Sequence, residues 1–185
     1  MKGISYALVK GKKTLIRGEV GKGKTCLLSR LLTEAVEAEE AGSITVIDMA
    51  PKEISVGGRR VGGKLATTTL AVIRHFAPEQ VVAPRLKGTT SEEVVQLANQ
   101  NANTIEPYLA QYIASPTPVL FANDLTIYLH CGKVELLREA ITLAKTFVGT
   151  AYWGDFFDDK GSGINAKERL LLGQLMNLFD LVVDL

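Results

Sequence analysis

Residues Gly18 to Thr25 read Gly-Glu-Val-Gly-Lys-Gly-Lys-Thr and satisfy the phosphate-loop pattern G-x-x-x-x-G-K-[ST] at every required position. This run constrains the fold more than any other, because the pattern works only between a strand and a helix. The glycines Gly18, Gly21 and Gly23 let the backbone curl until its N–H groups converge on phosphate oxygens. Lys24 supplies a compact positive charge for the terminal phosphates, and Thr25 a hydroxyl that suits magnesium. The following helix aims its positive dipole end at the same place. The candidate cradle is therefore Gly18, Glu19, Val20, Gly21, Lys22, Gly23, Lys24, Thr25 and Cys26.

The flanks supply the required context. Lys13–Arg17 is a short β-prone run. From Cys26 to Glu40 the apolar residues Leu27, Leu28, Leu31, Leu32, Ala35 and Val36 recur at helical spacing, and Gly42 stops the pattern. Ser43–Asp48 has the continuous β-branched character of a buried parallel strand, ended by Pro51. Further strands are expected at Ile4–Lys10, paired as a hairpin edge with the run before the loop, and at Pro118–Asn123, Phe147–Trp153 and Leu181–Leu185, while Val81–Leu86, with Pro84 inside it, reads as a short edge strand or an extended piece. Helices are expected after a Thr90 or Ser91 cap, with a break or fresh turn at Pro107, at Lys133–Lys145, and after an Asn165 cap. Leu125–Leu129 reads as a turn along the sheet edge, and Asp155–Gly163 as an acidic loop. Residues 52–68, with Gly57-Gly58-Arg59-Arg60 and Gly62-Gly63-Lys64, read as a mobile cationic loop. Such an alternation predicts a three-layer α/β/α sandwich with a mostly parallel central sheet. Ligands in such sheets bind at the carboxyl ends of the strands, where Gly18, Asp48, Asp124 and Trp153 fall.

A chain of 185 residues suits one domain, here expected over residues 1–185, and its 46% apolar content is that of a globular protein. The net charge of +1 supplies no field for nucleic acid or membrane. Cys26 and Cys131 form no C-x-x-C pair, which argues against a disulfide scaffold or a zinc site. With no signal peptide and no apolar run of about 18 residues, a cytoplasmic protein is expected.

A nucleoside triphosphate site also needs a carboxylate for magnesium. Asp124 follows Val119-Leu120-Phe121-Ala122-Asn123, and Asp48 follows Ile44-Thr45-Val46-Ile47. Either could instead merely cap a strand end.

The runs Thr14–Leu32, Val46-Ile47-Asp48 and Asn123-Asp124-Leu125-Thr126 resemble the RecA and KaiC branch of the P-loop ATPases. The resemblance implies a RecA-like fold, ATP and Mg2+ as ligands, and ATP hydrolysis. It gives Lys24 and Thr25 their usual roles, makes Asp124 the magnesium-associated residue, and has Asp48 or Glu53 polarise water. The family's usual catalytic residue is a glutamate, so Asp48 is a departure. Strand order separates RecA-like sheets from Ras-like ones. No Asn-Lys-x-Asp base-reading pattern is present, which favours adenine over guanine.

Other residues admit two readings each. Arg59, Arg60 and Lys64 could grip an anionic acceptor or form a solvated loop. Arg85 could act as an arginine finger or form a surface ion pair. His75 and His130 read as structural, and Cys26 as a small buried apolar group. The leading expectation is an ATP-binding, Mg-dependent NTPase that a second copy or a protein partner could complete. The alternatives are a transferase moving a phosphoryl or adenosyl group to a small anionic acceptor, and a nucleotide-gated partner-binding module.

Overall fold

Six short runs pair side by side, every neighbour parallel, in the computed structural model of the chain, which describes residues 3–65 and 68–185. Ala66, Thr67 and the side chains of Arg59 and Thr68 lie outside that description. The chain opens with α1 (Tyr6–Val9), β1 (Lys13–Gly18), α2 (Lys24–Ala38) and β2 (Ile44–Asp48). It continues through β3 (Ile54–Val56), β4 (Arg59–Val61), β5 (Arg74–Phe76), α3 (Pro84–Lys87) and α4 (Ser91–Ala114). It closes with β6 (Val119–Asn123), α5 (Leu125–Leu129), α6 (Val134–Leu143), β7 (Thr146–Tyr152), α7 (Ile164–Leu175) and β8 (Leu181–Asp184). The sheet order is β5-β2-β6-β7-β1-β8.

Strands β2, β6 and β7 are buried along their whole length. Their side chains still alternate between two cores, because successive residues of a strand point to opposite faces. Leu15, Ile47, Leu120 and Phe147 enter the core covered by α4, α5, α6 and α7. Ile16, Val46, Phe121 and Val148 enter the other, covered by α1 and α2. The result is an α/β protein with a parallel sheet between two helical layers. Within α2, Leu27, Leu28, Leu31, Leu32 and Ala35 are all buried. Each of those leucines contributes roughly 1.5–3 kcal/mol relative to exposure, which holds the helix on the sheet without a side-chain cap. No helix among the described residues is long and apolar enough to cross a membrane.

Adjacent strands β1 and β7 send their following helices to opposite faces: α2 to one core and α7 to the other. That divergence opens a crevice between their carboxyl ends, the usual ligand position in such sheets.

Several sequence expectations are corrected. Ile4–Lys10 is no strand: Tyr6 and Val9, three apart, turn inward from the short helix α1. The Tyr6 hydroxyl donates to Glu39 at 2.9 Å, and its ring stacks on Phe121. Val81–Leu86 is also not a strand, because Pro84 starts α3 at its first position. Leu125–Leu129 is helical, and α4 runs unbroken through Pro107. The last helix is capped by Gly163, which leaves Asn165 inside it. The segment expected as a loose loop contains an antiparallel hairpin, β3–β4. Its turn residues Gly57 and Gly58 adopt φ of 55° and 74°, the paired left-handed values of a type I′ turn. The edge strand β5 was not expected at all; three half-buried residues give too short a pattern to read.

Candidate functional site

Between the end of β1 at Gly18 and the start of α2 at Lys24, the chain makes a tight bend. Gly21 and Gly23 have φ of 75° and 87°, values that a side chain would make costly. Gly23 caps α2 with no side-chain hydrogen bond, so no side chain competes for the first-turn amides of a 15-residue helix. Lys24 folds back over the bend: its Nζ donates to the carbonyls of Gly18 and Glu19, both at 2.8 Å. Burial pushes the Lys24 ammonium below its usual pKa, against the pull of Asp124 and Glu19.

Glu19 belongs to the bend but turns its carboxylate away from the centre. It accepts from the amides of Val20 at 2.8 Å and Asp155 at 3.1 Å. Burial pushes its pKa up, but those amides, the Tyr152 hydroxyl and Lys24 outweigh this and hold it low. Val20 and Thr25 are half-buried, and Lys22 is exposed. Cys26 is exposed too, not the small buried group expected.

Asp124 follows β6 and sits in a left-handed conformation, φ 61° and ψ 66°, that few residue types tolerate. Its amide donates to Thr150 Oγ1 at 2.8 Å, and its Oδ1 accepts from Thr126 Oγ1 at 2.7 Å. Burial pushes the Asp124 carboxyl up; Thr126, Lys24, His130 and Arg85 pull it back. A carboxylate and a half-buried ammonium thus influence one another at one end of the sheet, a pairing that suits an anionic ligand with a divalent cation.

Asp48 is placed differently. It is fully buried, and its oxygens are taken: Oδ2 by the Leu65 amide at 2.7 Å, Oδ1 by Asn123 Nδ2 at 2.9 Å and the Ala50 amide at 3.3 Å. Through these bonds it clamps the chain after β4 to the end of the sheet. Glu53, the other candidate acid, is exposed and lies 3.9 Å from Arg60. Lys64 turns inward and donates to the carbonyls of Asp48 and Pro78, both at 3.0 Å.

One polar cluster had no local signature. Arg85 is buried, not a surface ion pair, and its Nη1 donates to Glu168 Oε1 at 2.8 Å and Asn165 Oδ1 at 2.6 Å. Its guanidinium stands 4.3 Å from the ring of Phe157 and 5.1 Å from that of Tyr152. The other oxygen of Glu168 lies 2.9 Å from His130 Nε2. Burial pushes the His130 imidazole below its ordinary pKa; Glu168 and Asp124 oppose this, and Arg85 adds to it. A cavity of about 30 Å³ is walled by Arg85, Asp124, His130, Phe157, Ile127 and Gly62. A larger open groove of about 640 Å³ runs along α4, past Glu92, Gln96 and Asn99, and no strand-end residue lines it.

No group of three or more His, Cys, Asp or Glu that could hold a metal occurs among the described residues. Magnesium bound with a triphosphate does not need one, since one or two protein oxygens suffice. Thr25 and Asp124 offer that hard-oxygen set.

The fold and site define an α/β protein with a strand–glycine bend–helix cradle and an aspartate across the crevice. The chain matches no protein-family model and no curated protein.

Proposed function

We propose that the chain is an ATP-binding, Mg-dependent NTPase of RecA-like type. The observation that carries this reading is the Lys24 ammonium, drawn over the Gly18–Gly23 bend at the crevice beyond the carboxyl ends of β1 and β7. A phosphate chain in the bend would replace the two carbonyl partners of Lys24 with charged oxygens, a stronger hydrogen bond. The uncapped start of α2 adds amides and the positive dipole end. Thr25 and Asp124 would hold Mg2+, which neutralises the negative charge of the phosphates when bound. Strand β7 intervenes between β1, which leads into the bend, and β6, which Asp124 follows. That order supports the RecA-like branch over the Ras-like one.

The acceptor-gripping alternative gains nothing from Lys64, which is spent on backbone carbonyls. Thermal unfolding with and without Mg–ATP tests the reading. A ligand at about 100 times its Kd stabilises by about 2.7 kcal/mol, so the midpoint should rise by roughly 5–10 °C. An unmoved midpoint at millimolar Mg–ATP argues against it.

A further inference from the structure

Trp153, the first residue after β7, keeps 41% of its surface exposed, and it is the chain's sole tryptophan. The bend fixes its position. The Trp153 amide donates to the Gly18 carbonyl at 3.0 Å, and the Asp155 amide to the Glu19 carboxylate at 3.1 Å. Gly154, between them, lies so close to that carboxylate that a Cβ would collide with it. An open aromatic plane is thus tied by backbone contacts to the first two residues of the bend. We infer that the Trp153 indole is the platform on which the base of a bound nucleotide stacks. The inference rests on the reading of Gly18–Thr25 as a triphosphate cradle.

Direction decides where a base lies. With Thr25 and Asp124 holding Mg2+ against the last two phosphates, the terminal phosphate faces β6, the strand that Asp124 follows. The nucleoside end then runs the other way along the order β6-β7-β1-β8. Trp153 leans that way too. The Arg17 guanidinium of β1 lies over its ring, 4.7 Å from the centroid. Arg17 Nε donates at 2.6 Å to Asp184, its register partner on β8.

The same contacts prepare the ring for a ligand. Arg17 covers one face as a cation–π partner, and the exposure falls on the part of the indole that Arg17 leaves uncovered. Asp184 holds Arg17 through both Nε and Nη2, the second at 3.4 Å. A plane held in place before binding loses little conformational freedom when a base arrives. Stacking reads the π-face that every base carries, so this contact separates nucleotides from bare polyphosphates. Tripolyphosphate fills the cradle and leaves the platform empty.

Calorimetric titration of Mg–ATP and of Mg–tripolyphosphate into wild type and Trp153→Ala is the test. Affinity for Mg–ATP should fall about 5- to 150-fold in the variant, while that for Mg–tripolyphosphate stays within about threefold. Trp153→Phe keeps a ring and should recover most of the loss for Mg–ATP. Emission of the one tryptophan gives a readout on the unaltered protein that no folding defect can confuse. Saturating Mg–ATP should quench it, and saturating Mg–tripolyphosphate should leave it unchanged. Equal Mg–ATP affinity in wild type and Trp153→Ala overturns the inference and leaves the cradle standing. So does an equal loss for both ligands, which makes Trp153 a support of the bend alone. Wild-type emission that responds no more to Mg–ATP than to Mg–tripolyphosphate overturns it as well. A wild-type protein that binds neither ligand overturns the cradle reading, and the platform with it.

Discussion

Asn123 Nδ2 donates to Asp48 Oδ1 at 2.9 Å and joins the carboxyl ends of two neighbouring strands, β6 and β2. The same amide group reaches the Gly63 carbonyl at 3.1 Å, and Asn123 Oδ1 accepts from Thr150 Oγ1 at 3.1 Å. The strand-end asparagine thus links the residue after it, Asp124, to the clamp on the chain following β4. Asp48 is fully buried and accepts three hydrogen bonds, so its carboxylate fixes the geometry of this strand end.

Replacing Asp48 by alanine should therefore act on stability. It strands the buried Leu65 amide and takes one of the two partners of the Asn123 amide group, at a cost of about 1–3 kcal/mol for a group left unpaired. Urea unfolding should show a loss of a few kcal/mol, with hydrogen exchange fastest around residues 62–65. Unchanged stability with abolished turnover would return Asp48 to a catalytic role.

Asp124→Asn should separate stability from function. The Asp124 carboxyl is held above its ordinary pKa by burial, so the folded state resists its ionisation. A raised folded pKa adds stability below the unfolded value of 3.8 that is lost as pH rises through the folded value. Asparagine tolerates the left-handed backbone and removes the buried charge. The ligand-free variant should melt higher than wild type at pH 7, yet lose Mg-dependent enhancement of ATP binding. Differential scanning at pH 7 and titrations with and without Mg2+ check both halves.

Stability should decline on mild acidification through His130. Its pKa is depressed in the folded state relative to 6.5, so the unfolded chain binds the proton first. The contribution is complete above about pH 6.5 and is lost as pH falls from there towards the depressed value. The groups facing the ring are Glu168 on α7, Arg85 on α3 and Asp124 before α5. His75, also depressed by burial, adds the same sign. His130→Gln should flatten the slope of unfolding free energy between pH 7 and 5, read by urea titrations at several pH values; an unaltered slope contradicts the assignment.

Much of the frame was legible because the sheet is parallel and buried. Strands such as Ile44–Asp48 and Val119–Asn123 read as continuous apolar runs, and the leucines of α2 repeat at helical spacing. Short elements were not. Four residues of α1 cannot show a helical period, and Tyr6 and Val9 mimic a strand until the core is seen. The Gly57-Gly58 pair was a hairpin signal, but the cationic residues around it favoured a loop reading. The strand–bend–helix unit from β1 to α2 was local and so could be read. Arg85, His130 and Glu168 were not, because they meet across as many as 83 positions and no spacing rule links them.

Arg85→Met breaks a buried ion pair from one side. Glu168 then keeps a buried charge without its guanidinium partner, and the variant should lose about 3–5 kcal/mol in urea unfolding. Pairing it with Glu168→Met should recover much of that loss, since an apolar pair of similar volume is often neutral. Additive losses in the double variant would show that the two side chains are not coupled.

The central claim is that phosphates occupy the bend before α2 and engage the Lys24 ammonium. Calorimetric titration of Mg–ATP into wild type and Lys24→Ala, each shown folded by its unfolding transition, tests it most directly. Loss of one charge-assisted hydrogen-bond set worth about 1.5–3 kcal/mol predicts affinity weaker by about 10- to 150-fold in the variant. Equal affinity in the two proteins, or no heat from wild type with any purine nucleotide, would contradict it.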